Sequence, residues 1–108
     1  IGFANEQIVI LSCVGQGKSF LGDAAEIGGI KLKRATTARE GDGTQVYTQG
    51  DILFETVFRF KGQQAPAVIL IDGNKPEHAT DYMKRVMFCG MTRATVRLDV
   101  LTVLRWLT

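Results

Sequence analysis

The chain has 108 residues, enough for one domain with a modest core and too few for two. Apolar residues make up 45% and charged residues 22%, an ordinary globular balance rather than the composition of a disordered chain. A net charge of +2 does not by itself establish a nucleic-acid partner, and no apolar run is long enough to span a bilayer. No secretory signal is visible, so a cytoplasmic setting is expected. The sequence opens on Ile1-Gly2 rather than Met, and we expect a segment of a longer protein. Cys13 and Cys89 lie far apart in apolar settings without clustered His or Cys. That excludes a zinc site and favours two reduced thiols.

In chain order, the first element is residues 7–12, QIVILS, whose apolar centre fits a strand buried on both faces. Next comes Gly15-Gln16-Gly17-Lys18-Ser19, a strand-to-loop passage reminiscent of a phosphate-binding loop. That loop type needs a Gly five positions before Gly17, where Ser12 stands, and no strand ending in paired acids follows. A Gly-rich surface loop is therefore the favoured reading, with about two helical turns after Ser19 before Gly28-Gly29 stops them. Residues 31–38, KLKRATTA, form a basic stretch with strand character, and Lys31, Lys33 and Arg34 read as a solvated face. Glu40-Gly41-Asp42-Gly43 is a hairpin-type turn, with a short strand from Gln45 pairing back.

Residues 51–56, DILFET, lead as a strand into TVFRFKGQQAPAVILID, residues 56–72. The second half of that stretch, Ala67 to Ile71, is a short aliphatic run closed by Asp72-Gly73, again suited to a strand buried on both faces. Lys61-Gly62 lets backbone approach a charged ligand closely, and Gln63 and Gln64 carry donors and acceptors for a sugar hydroxyl or a base edge. Phe54 and Phe60 read as core; Phe58 fits either core or stacking on a base. Pro76 is placed to begin a helix, with Glu77 and Asp81 favouring its start, and Met83, Val86, Met87 and Gly90 recur at helical spacing. His78 reads as an exposed polar residue. Residues 96–101, VRLDVL, read as a closing strand with Arg97 pointing outward, and the place of Trp106 stays open.

Two of these stretches resemble motifs of one family. Thr56, Lys61-Gly62, Gln64 and the strand Val68–Ile71 are similar to motif V of UvrD/Rep-type superfamily 1 DNA helicases. Val86-Met87-Phe88-Cys89-Gly90-Met91-Thr92-Arg93-Ala94 looks like motif VI of the same family, in the order and context that family shows. The resemblance implies an α/β fold, a RecA-like (P-loop NTPase type) partial domain with a largely parallel sheet flanked by helices. It implies that residues 1–108 are the second motor domain, working with a first RecA-like motor domain of the same parent chain. Arg93 would then be the catalytic arginine finger on ATP, and Gly62, Gln64 and Arg93 would contact the nucleotide, with Mg²⁺ held mainly by the first motor domain. Thr56, Phe58 and Arg59 would face single-stranded DNA. Two residues depart from the pattern: Phe58 stands where most members have His, and Gln64 where many have Glu. Those departures leave open a degenerate DNA- or protein-binding module without ATPase activity, beside the more remote reading of a self-sufficient enzyme using Lys18.

Overall fold

The computed structural model describes residues 2–15, 18–19, 21–22, 24–39, 41–43, 45–73 and 79–102. After a 3-10 turn at Asn5–Gln7, the strands are β1 (Ile8–Ser12), β2 (Glu26–Ile27), β3 (Ile30–Arg39), β4 (Gln45–Tyr47), β5 (Ile52–Thr56) and β6 (Ala65–Gly73). Helix α1 (Asp81–Met91) and strand β7 (Ala94–Thr102) follow. The sheet runs β2-β3-β5-β1-β6-β7, with β4 paired to β3 off that path. The β3–β5, β5–β1, β1–β6 and β6–β7 pairings are parallel. Among the described residues only the hairpin pairings β2–β3 and β3–β4 are antiparallel. The fold is thus α/β with a mostly parallel sheet, as expected, and the described residues contain one α-helix against it.

The two aliphatic runs sit where their composition demands. β1 lies between β5 and β6, and Leu11, Val68 and Leu70 are fully buried. Because side chains alternate along a strand, each run feeds two cores. On one face Val9, Leu11, Val68 and Leu70 pack with Val57, Phe60 and the α1 residues Val86 and Met87. On the other, Ile10, Leu32, Ile52, Phe54 and Ile71 cluster. Fully burying one such side chain contributes about 1.5–3 kcal/mol, so Phe54 and Phe60 are core, as their spacing suggests.

Helix α1 begins at Asp81. Thr80 is its N-cap, and its hydroxyl accepts a hydrogen bond from the Met83 amide at 3.1 Å, satisfying an orphan N–H of the first turn. Pro76, Glu77 and His78 lie outside the described residues, as does Trp106. The helix can settle closely on β6 because position 90 is glycine. A Cβ there would fall 2.6 Å from Leu70 Cδ1 and 3.0 Å from Val57 Cγ2.

Two expectations are overturned. The described residues after Ser19 form turns and then β2, not a two-turn helix; Gly22 has φ +52°, a left-handed value that a helix excludes. And Arg34 is not on a solvated face. It is buried, donates to the carbonyls of Ala24 (2.6 Å) and Gly22, and lies over the Phe54 ring at 4.6 Å. Those carbonyls belong to the loop between β1 and β2, so the guanidinium fastens that loop to the sheet. Lys31 and Lys33, by contrast, are exposed.

Candidate functional site

Because β5 and β6 run parallel to the strand between them, the chain leaving Thr56 must cross back over the sheet to enter β6. Residues 57–64 make that crossing, and they separate the candidate site residues into two groups at opposite ends of the sheet. Thr56, Phe58 and Arg59 lie at the end of β5. Gly62 and Gln64 arrive at the start of β6, beside the start of β7, where Ala65 is paired with Ala94.

At that second end the structure brings Gly62, Gln64 and Arg93 together. The Ala65 amide donates to the Arg93 carbonyl at 2.9 Å, and the Arg93 amide to the Gly90 carbonyl at 3.1 Å. The guanidinium reaches back across the junction: Nη1 donates to the Gln63 carbonyl at 3.4 Å and Nη2 to Thr92 Oγ1 at 3.1 Å. Thr92 Oγ1 in turn donates to the Cys89 carbonyl at 2.9 Å. Arg93 Nε is buried without a hydrogen-bond partner. Among the described residues Arg93 enters no ion pair. Half-buried and without a carboxylate among the described residues, the guanidinium keeps a charge that an anion could match through its Nη edge. Gly62 has φ +85°, a left-handed turn that any Cβ would strain, and this turn presents Gln63 and Gln64. Gln64 is exposed and lines a groove of about 330 Å³ with Glu6, Lys33, Asp51, Phe60 and Pro66.

At the other end, Thr56 is buried, and its hydroxyl accepts the Arg59 amide at 3.2 Å while its carbonyl accepts the Phe60 amide at 3.0 Å. It shapes the turn from within. Phe58 is 46% exposed, so the core alternative for it is excluded. It lines a second groove of about 290 Å³ with Lys61, Tyr82, Arg85 and Cys89. The Arg59 side chain is also solvent-facing, with Nε 3.9 Å from Glu55 Oε1. Glu55 is buried, accepts the Tyr47 hydroxyl at 2.6 Å, and so pushes the Tyr47 pKa up. Sequence reasoning missed Glu55; the signal was a carboxylate among the apolar residues of β5.

Ser19 is tied down at the ends of β1 and β6. Ser19 Oγ and Ser12 Oγ both donate to Asp72 Oδ2 at 2.7 Å. Ser12, the residue that breaks the phosphate-loop pattern, therefore works as a buried anchor, and Ser19 is spent on the same carboxylate. Lys18 is exposed, and Gly17 lies outside the described residues. Cys13, next to this cluster, is buried and free, and Cys89 is also free. The described residues hold no group of three or more His, Cys, Asp or Glu able to bind a metal, and no described helix is long and apolar enough to cross a membrane.

Compared with known families, residues 51–101 match the UvrD-like helicase C-terminal domain. That span runs from β5 into β7 and includes Thr56, Phe58, Arg59, Gly62, Gln64 and Arg93. No curated protein matches the chain.

Proposed function

From the match of residues 51–101 to the UvrD-like helicase C-terminal domain, we propose that the chain is the second motor domain of an ATP-dependent superfamily 1 DNA helicase or translocase. The observation that carries this reading is Arg93, half-buried at the junction of α1 and β7, held by the Gln63 carbonyl and without a carboxylate among the described residues. ATP supplies a γ-phosphate whose oxygens gain charge as it is transferred, and an arginine fork stays charged and matches them. Gly62 opens the backbone for close approach, and Gln64 offers an amide to a ribose hydroxyl without the charge of the Glu common at that position. Mg²⁺ and most of the triphosphate would be held by a first RecA-like motor domain.

Single-stranded DNA would run past the other end of the sheet. Phe58 supplies a face for base stacking, worth roughly 1–3 kcal/mol per base, and Arg59 supplies a phosphate contact. Thr56 contributes by setting the turn that presents both. The two ends are joined by residues 57–64, so movement of one motor domain against the other would carry the DNA contacts and the finger as one piece.

The test is DNA-stimulated ATP hydrolysis by the protein joining this domain to a P-loop-bearing motor domain. Arg93→Ala should lower turnover on the order of 10³–10⁵-fold with nucleotide binding largely kept. Equal, measurable rates would overturn the finger assignment. The second reading, a binding module without ATPase activity, has its own support: both Arg93 Nη atoms already have partners within the chain. It expects no turnover in either protein, with DNA binding intact.

A further inference from the structure

Strand β7 ends the sheet, hydrogen-bonded to β6 on one side and, among the described residues, to nothing on the other. An exposed strand edge is a template for another strand, and proteins blunt such edges with Pro, Lys or like charges. β7 has neither Pro nor Lys across its length, ATVRLDVLT. It instead exposes apolar residues: Val96 is 72% accessible, Leu101 57%, Val100 38% and Leu98 37%. Its two charges are of opposite sign, lie two residues apart on one face, and bond to each other, Arg97 Nε to Asp99 Oδ2 at 3.0 Å.

This pattern is self-complementary. We propose that β7 is the interface for a second copy of this chain, pairing antiparallel about a two-fold axis through Leu98. In that register Arg97 faces Asp99 of the second copy, and Asp99 faces its Arg97. On the opposite face, Val96 meets Val100 twice and Leu98 meets Leu98 on the axis. The alternatives are worse. An axis through Arg97 sets two arginines against each other, and one through Asp99 sets two carboxylates together; like charges directly opposite are destabilising. The pairing with β6 settles which face is apolar. Val68 and Leu70, under α1, pair with Leu98 and Val100, so the stripe Val96-Leu98-Val100 continues the face that α1 covers. The two-fold axis then puts both copies' helices on the same face, flanking one apolar stripe, and joins two sheets into one. Closed symmetric dimers are the commonest protein assembly, and an isologous edge satisfies the free backbone groups of both partners.

Sedimentation equilibrium of the 108-residue chain over a concentration series reads this directly. The wild type should approach twice the 11.9 kDa monomer mass. Arg97→Asp alone and Asp99→Arg alone should each weaken association by about tenfold or more, since both cross-strand pairs become repulsive. The double swap Arg97→Asp with Asp99→Arg should restore it. The side chains are 53% and 47% exposed, so the swaps leave the core untouched, and circular dichroism checks that they fold. Amide hydrogen exchange on the wild type gives a readout free of mutation: β7 amides should gain protection as concentration rises. A wild type that stays monomeric, a double swap that fails to restore the dimer, or concentration-independent exchange of β7 would each overturn the proposal.

Discussion

Replacing Gly90 by alanine sets two known effects against each other. In a helix interior alanine is favoured over glycine by about 0.8–1.0 kcal/mol, so on an exposed helix face the change would stabilise. Here the new methyl would lie 2.6 Å from Leu70 Cδ1 and 3.0 Å from Val57 Cγ2. Leu70 is fully buried and Val57 nearly so, so neither can swing into solvent. Overpacking a filled core costs about 1–3 kcal/mol, and the balance is a net loss of about 1 kcal/mol. With a urea slope of about 1.5 kcal/mol/M, the midpoint should fall by roughly 0.7 M, read by circular dichroism. Leu70→Val removes the closest atom. In that background Gly90→Ala should become nearly neutral, a coupling that only residues in contact produce. A midpoint that rises in the wild-type background, or strictly additive changes, would refute the close packing of α1 on β6. Because the Gly90 carbonyl accepts the Arg93 amide, the same substitution should also disturb the proposed finger.

Two further outcomes follow from the cluster at the ends of β1 and β6. Burial, aided by the Asp72 carboxylate, pushes the Cys13 thiol up to about 12, so at pH 8 roughly one molecule in 10⁴ carries the reactive thiolate. Iodoacetamide should modify Cys13 only after unfolding, and rapid native labelling found by mass spectrometry would contradict its burial. By the same shift the contribution of the buried neutral thiol to stability is fully present below the ordinary value near 9 and is lost as pH climbs from there toward 12. Asp72→Ala should cost about 2–4 kcal/mol, because two buried hydroxyls lose a charged acceptor. Asp72→Asn should cost less, since asparagine keeps an acceptor and tolerates the φ of +65° found there. Equal midpoints for all three proteins would show that the carboxylate does not hold the loop.

Much of the fold was legible because it rests on local pattern. The unbroken aliphatic runs of β1 and β6 identify strands covered on both faces, and their parallel pairing side by side at the centre follows from that. The hairpin turn before β4 and the apolar face of α1 were equally readable, as was the order Lys61-Gly62, Gln64, Thr92-Arg93-Ala94 that carries the family resemblance. Arg97, expected to point outward, does so.

What local pattern could not say is which polar groups meet across the fold. Arg34 looked like one of three solvated cations, yet Gly22, Ala24 and Phe54 close around it and take it out of water. Ser12 looked like a broken phosphate loop, yet sixty residues later in the chain Asp72 turns it into an anchor. Thr56 is buried and shapes the turn from within, and Phe58, which stood between core and surface, is 46% exposed. Each of these outcomes depends on long-range strand order, because only that order sets which side chain lies within hydrogen-bonding distance of which. Composition and periodicity determine that a segment will be buried; the tertiary arrangement alone determines what it is buried against.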